Sequence, residues 1–268
     1  MSIDSIADYK IVRSLGSGNH GEFYLAETPQ RLSLNEPLLA LKVLFGATSE
    51  EAFRRATREL RVFASVSSPY LVTLLDAGQD GGAFYYSMEY MPLGSLASPT
   101  EALSREHARR AVANAARAAH ALHEAGTVHR DIKPANILLH ENGARLSDLG
   151  LAQLIAPGLT MTGMGPIGSV EYVDPRILRG ERASRATDIW SLGVTMHRVL
   201  AGTGIYGELP SDDPLLAMRR VLTTEPNLDP SLSAAESALI GECLAPEPSK
   251  RPLTAEAVAE RIEALDAA

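Results

Sequence analysis

The stretch His129-Arg130-Asp131-Ile132-Lys133-Pro134-Ala135-Asn136, followed downstream by Asp148-Leu149-Gly150, decides how this chain is read. Two carboxylates, a lysine and a carboxamide fall in one short segment. On its N-terminal side, residues 104–125 read as a long helix. On its C-terminal side, 186–202 and several stretches in 212–265 do the same, the last of them, Leu253 to Leu265, being amphipathic. Upstream of Gly94 the pattern changes. Residues 9–15, 22–27, 37–45, 71–76 and 83–90 read as strands. They are interrupted by one helix, opened by a Thr48/Glu51 capping box and running to about Val66 with Phe53, Leu60 and Phe63 as apolar positions. A β-rich first third before an α-rich remainder predicts an α+β arrangement in two lobes, with the boundary near Glu89 to Gly94, and not an alternating βαβ sheet.

Two further motifs lie in the β-rich third. Gly16-Ser17-Gly18-Asn19-His20-Gly21 sits between two predicted strands. Bare backbone there can approach phosphates with N–H donors, but a hairpin turn asks for the same glycines. A dinucleotide-binding reading fits poorly, because a strand follows where a helix should. Lys42, in the apolar run Leu38 to Phe45, needs a counter-charge if it is buried. Glu59 on the predicted helix is one candidate, although Lys–Glu pairs are also common at surfaces.

Taken in order, Gly16 to Gly21, Ala40-Leu41-Lys42, His129 to Asn136 and Asp148 to Gly150 resemble the signature set of the protein kinases. Gly168-Ser169-Val170-Glu171-Tyr172, Asp188 to Gly193 and Pro248 to Pro252 extend the likeness through the second lobe, so that it covers Tyr9 to about Leu265. The resemblance implies a bilobal kinase fold in one domain, 1–268, with an N-lobe at 9–91, a hinge at about 88–94 and a C-lobe at 92–268. It implies ATP and Mg²⁺ as cofactors, with Mn²⁺ as an alternative. By the same resemblance Lys42 holds the α/β-phosphates and Glu59 pairs with it. Asp131 accepts the proton of the substrate hydroxyl, with Lys133 beside it, and Asn136 and Asp148 supply oxygens to the metal. Gly16, Ser17, Gly18 and Gly21 cover the phosphates. Phe23, Ala40 and Leu138 sandwich the adenine, Met88 is the gatekeeper, and the backbone of Glu89 and Met91 meets the adenine edge. Trp190 and Asp188 are read as packing and structural hydrogen bonding.

Lys133 marks the Ser/Thr class within that resemblance, and the hinge together with Thr160-Met161-Thr162 resembles the eukaryotic-like Ser/Thr kinases of bacteria. Thr160 and Thr162 are then the expected autophosphorylation sites on a glycine-rich activation loop. Arg130 offers a cation for a phosphothreonine, and the hydroxyl of Ser169 is expected to bond Asp131 and Lys133. The implied partners are ATP, protein substrates and a second copy of the chain for phosphorylation in trans. A nucleotide-binding scaffold and a small-molecule phosphotransferase are the competing classes.

Composition narrows the field. A net charge of −8 argues against bulk nucleic-acid binding. The single cysteine, Cys243, cannot form an intramolecular disulfide, which fits a cytoplasmic setting. No apolar run is long enough for a membrane span, and residues 1–20 lack a signal-peptide core.

The sequence departs from the family pattern at three places. Phe23 replaces a small β-branched residue, and Leu149 stands where Phe is common. Asp174-Pro175-Arg176 replaces Ala-Pro-Glu, whose glutamate ordinarily pairs with an arginine matching Arg251. Two arginines cannot repeat that pair. Arg176 is therefore expected to turn toward solvent or a local acid such as Glu171 or Glu181, leaving Arg251 to backbone carbonyls or Glu247. A weaker tether on this segment follows, with a gain in stability when glutamate is restored at 176.

Overall fold

Alternating apolar positions at the start of the chain build an antiparallel sheet, seen in a computed structural model that describes residues 4–18, 21–44, 50–148, 167–210 and 212–265. Two compact units divide the described chain. One holds 4–65 and 72–91, the other 66–71, 92–148 and 167–265.

In the first unit the strands are β1 (Ser5–Ile6), β2 (Tyr9–Gly18), β3 (Gly21–Glu27), β4 (Leu38–Leu44), β5 (Leu74–Asp80) and β6 (Ala83–Glu89), in the spatial order β1-β2-β3-β4-β6-β5. Helix α1 (Glu50–Ser65) is inserted between β4 and β5. Tyr24, Ala26, Leu39, Leu41, Val43 and Tyr85 alternate along their strands and gather with Ile6 and Tyr9 into one apolar cluster. The buried Tyr9 hydroxyl is satisfied, donating to Asp76 at 2.6 Å and lying 3.1 Å from the Ser87 hydroxyl. The expected strand at 71–76 lies further along. Leu71 instead bridges to Leu146 within the second unit, and the polar Ala77 to Asp80 completes β5 as an edge strand on β6. Apolar alternation does not mark such an edge.

The second unit opens with a short hairpin, β7 (Gly94–Ser95) and β8 (Ser98–Pro99), that was not legible as strand. It joins the hairpin of β9 (Ile137–His140) and β10 (Gly143–Leu146) in the order β10-β9-β7-β8. Six helices belong to this unit: α2 (Arg105–Glu124), α3 (Pro175–Leu178), α4 (Arg185–Ala201), α5 (Pro214–Thr223), α6 (Ala234–Cys243) and α7 (Ala255–Ala264). Ser104 caps α2, its hydroxyl accepting from the His107 N–H at 3.1 Å. Alanines at 108, 111, 113, 115, 116, 118 and 119 are buried along α2, and their small side chains let α4, α7 and β10 pack against it. With α1, seven α-helices occur among the described residues. None of the helices there is long and apolar enough to cross a membrane. The Thr48/Glu51 capping box and the side chain of Phe53 lie outside the described residues.

Candidate active site

Several of the expected nucleotide-site residues share one face of the first unit's sheet. Phe23, Lys42 and Tyr86 are direct partners across β3, β4 and β6, and Leu25, Ala40 and Met88 form a rung two residues along. Strand side chains alternate with period two, so Phe23, Ala40, Lys42 and Met88 project to the same side, opposite the apolar cluster. Lys42 is only 7 % exposed. Its ammonium stands 4.8 Å from the centroid of Phe23 and 5.8 Å from that of Tyr86, within cation–π range of both rings. Glu59 lies partly buried on α1.

The glycines divide by cause. Gly16 has φ +121°, a conformation that disfavours any side chain, and lies beside a bulge in the β2–β3 ladder. At Gly21 a Cβ would fall 2.0 Å from the Val43 carbonyl oxygen, so sheet packing by itself requires a glycine there. Ser17 pairs with Glu22, and Gly18 with Gly21. At the end of β6, the Glu89 carboxylate accepts the Thr73 N–H at 2.6 Å, while the Glu89 N–H donates to the Thr73 carbonyl at 3.1 Å. Met91 is buried.

In the second unit the stretch that opened the sequence reading folds around one carboxylate. The Lys133 ammonium donates to both Asp131 oxygens at 2.9 and 2.8 Å. The Asn136 amide donates to Oδ2 of the same carboxylate at 2.9 Å and to the Asp131 carbonyl at 2.7 Å. Asp131 keeps 29 % of its side chain exposed, so it is oriented yet reachable. Behind it, the buried Asp188 of α4 accepts the N–H of His129 at 2.8 Å and of Arg130 at 2.9 Å, and lies 2.8 Å from His123 Nε2. This clamp holds Arg130 at φ +73°, a costly conformation for a residue with a Cβ. Burial keeps the pKa of His129 below its ordinary value. The neutral ring donates from Nε2 to the Ser147 carbonyl at 3.0 Å and accepts the Asp131 N–H at Nδ1, 3.3 Å away. Asp188 thus has the structural role expected of it.

The donor chemistry at Asn136 and Asp148 suits a hard divalent cation. Asn136 spends its amide nitrogen on Asp131, which leaves its carbonyl oxygen for another partner. Asp148 sits one residue beyond Ser147, whose N–H bonds the Asn136 backbone carbonyl at 2.8 Å, and it too has a positive φ, +66°. No group of three or more His, Cys, Asp or Glu gathers among the described residues. Two protein oxygens completed by phosphate and water are the usual Mg²⁺ arrangement. Leu138 lies partly buried on β9, opposite Ser95 of β7.

The family model for the protein kinase domain matches residues 9–261. The chain belongs to the protein kinase family. This kinase is 32 % identical over 258 residues to the serine/threonine-protein kinase PknJ of Mycobacterium tuberculosis, covering 91 % of this chain and 43 % of that one. It is 34 % identical over 269 residues to PknK of Mycobacterium bovis, covering 96 % and 23 %. It therefore spans less than half the length of these relatives. The crystal structure of the Mycobacterium tuberculosis PknI kinase domain, solved as a point mutant, superimposes with a TM-score of 0.74 at 24 % identity, covering 99 % of this chain and all of that one. That likeness speaks for the fold, an α+β protein kinase.

The kinase corrects the sequence reading at Arg251. Arg176 does turn away, to Glu181 (Nε to Oε1, 3.0 Å). Arg251, however, is not left to Glu247, which pairs with Lys250. Its guanidinium meets the Asp174 carboxylate at 2.5 Å, with the two side chains 1 % and 0 % exposed. It also donates to the Ala245 and Ala186 carbonyls at 2.8 and 2.7 Å and stacks over Trp190 at 5.0 Å. The anchoring carboxylate has moved two positions upstream, so the segment is not weakly tethered. The missed signal was Asp before Pro, a helix-start signature: Asp174 also caps α3 by accepting the Arg176 N–H at 2.9 Å. Leu149, Gly150, Thr160, Thr162 and the side chain of Ser169 lie outside the described residues.

Proposed function

We propose that this chain is an active serine/threonine kinase that moves the γ-phosphoryl group of Mg-ATP to Ser and Thr hydroxyls of proteins, and that it phosphorylates its own Thr160 and Thr162. The observation that carries this reading is the Asp131 carboxylate, gripped by Lys133 and Asn136 yet still exposed. The Oδ atoms of Asp131 accept the proton of the substrate hydroxyl as its oxygen attacks phosphorus. The Lys133 ammonium keeps that carboxylate turned and places positive charge beside the transferring group. Lys42, with Glu59 as its partner, takes the α/β-phosphates, and the loop of Gly16, Ser17, Gly18 and Gly21 covers them. Phe23, Ala40 and Leu138 contact the adenine, Met88 limits the depth of its site, and the backbone of Glu89 and Met91 meets its edge. A divalent cation bound through Asp148 and Asn136, Mg²⁺ or Mn²⁺, supplies charge neutralisation at the phosphate oxygens. Protein substrates, ATP and a second copy of the chain acting in trans are its partners, in the cytoplasm.

Incubation with γ-labelled ATP, Mg²⁺ and a mixture of Ser, Thr and Tyr peptides tests this. Label on Ser and Thr, with phosphate at Thr160 or Thr162 by mass spectrometry, is expected. Label confined to Tyr, or none, contradicts the activity. Phosphate only elsewhere, with a fully active Thr160→Ala/Thr162→Ala variant, contradicts the autophosphorylation.

A further inference from the structure

Beside the catalytic loop, wholly within the second unit, lies a cavity of about 530 Å³. Leu96, Pro134, Tyr172 and Leu200 supply apolar wall, and the only charged side chains lining it among the described residues are Arg105 and Arg198. Two carboxylates stand behind these guanidiniums. Glu171, 2 % exposed, takes an Arg198 N–H at 2.7 Å and the Ile205 N–H at 2.9 Å. Glu236, 1 % exposed, takes Arg105 in a fork at 2.9 and 2.6 Å, Arg109 at 3.3 Å and the Ser233 N–H at 2.8 Å. Arg105 and Arg198 keep about 40 % of their side chains exposed. The buried acids fix both arginines in place. Arg105 also donates from Nη1 to the Leu200 carbonyl at 2.9 Å, yet a guanidinium has five N–H donors, and because the carboxylates are buried behind the arginines the cavity wall presents guanidinium and not carboxylate.

The position gives the cavity its occupant. Pro134 directly follows Lys133, which holds Asp131. Tyr172 closes the Gly168–Tyr172 segment, which resembles the loop that receives the substrate chain. The hairpin β7–β8 is laid against the catalytic loop through the Ala97 N–H to Pro134 carbonyl bond at 3.2 Å.

We infer that this cavity selects protein substrates by seating a carboxylate side chain, Asp or Glu, that flanks the phosphoacceptor, against Arg105 and Arg198. The inference rests on the kinase reading above. It runs against the field of the whole chain, whose net charge of −8 repels acidic peptides. A measured preference for acid therefore has a local cause.

The test is fluorescence anisotropy, without ATP, of labelled Ser-centred peptides scanned with Asp or Lys at each flanking position. The proteins are wild type, Arg198→Ala and Ala97→Glu. Ala97 is exposed on the cavity rim and its substitution removes neither partner of any ion pair, so this variant stays informative if Arg198→Ala, which strands Glu171, fails to fold. The expected result is about tenfold tighter binding with Asp at one flanking position, the scale of a charge-assisted hydrogen bond. That preference should shrink with salt and fall toward parity in Ala97→Glu. Equal binding of Asp and Lys peptides, or an acid preference unchanged in Ala97→Glu, overturns the inference. Phosphoryl transfer is read separately on the same peptides: its absence, with the binding preference intact, strikes the kinase reading and leaves the cavity's selectivity standing.

Discussion

Asp174 shows how much a single carboxylate can determine. It caps α3 with one oxygen and grips Arg251 with the other, both side chains being out of reach of water. Removing one member of a buried pair strands the other charge at a cost of about 3–5 kcal/mol. Asp174→Asn should therefore lower the melting temperature by roughly 10 °C, given about 2–4 °C per kcal/mol for a chain of this size. Thermal unfolding followed by circular dichroism checks it, and a loss of a degree or two would assign the anchoring elsewhere. Arg176→Glu, in contrast to the sequence-based expectation, should not stabilise. Arg251 already has a buried carboxylate partner in Asp174, and the substitution removes the Glu181 pair. The two variants measured side by side separate the moved anchor from the family arrangement.

At the scale of elements, Glu236 ties the N-terminus of α6 to α2 through Arg105 and Arg109. The Arg105 guanidinium holds the Glu236 carboxyl down at about 2, below its ordinary 4.5. A depressed folded-state value means that the ionised form stabilises the fold. The contribution is complete above about pH 4.5 and is lost as pH falls toward 2. The gap in melting temperature between wild type and Glu236→Gln should accordingly be widest near pH 6 and narrow by pH 3. A constant gap would show that the tie does not depend on ionisation. The sheet face of β3, β4 and β6 makes a different prediction. Lys42 lies buried between two aromatic rings, and Met matches its shape while favouring sulfur–aromatic contact. Lys42→Met should keep its melting temperature within a few degrees and lose most of its kinase activity. Preserved activity would pass the phosphate contact to another residue, such as Lys133.

Across the whole molecule, what was legible in the sequence followed the physics of each signal. Long helical stretches with caps, such as Arg105–Glu124 and Arg185–Ala201, match the sequence reading to within a residue or so. The two-residue strands β7 and β8 carry no periodicity at all, and their hairpin walls the Arg105/Arg198 cavity through Leu96, Ala97 and Pro99. The cluster of Asp131, Lys133 and Asn136 was legible because its members fall within one short segment that resembles the kinase signature. The Asp174–Arg251 pair was not, because partners 77 residues apart in sequence leave no local pattern; Asp before Pro signals only the helix cap. Nor was the burial of Glu171 and Glu236 behind exposed arginines, since charged residues are expected at the surface.

The central claim is that the second unit presents Asp131 as the proton acceptor of a phosphoryl transfer. It is tested most directly by measuring ATP affinity and turnover on one preparation each of wild type and Asp131→Asn. Asn keeps the size of Asp and can still meet Lys133 through its carbonyl oxygen, but it cannot take the proton. ATP affinity should stay within about twofold, while turnover falls by roughly 10²–10⁴, the scale of a positioned acid–base group. Turnover near that of wild type would contradict the assignment of Asp131, and with it the mechanism built on the Asp131, Lys133 and Asn136 cluster.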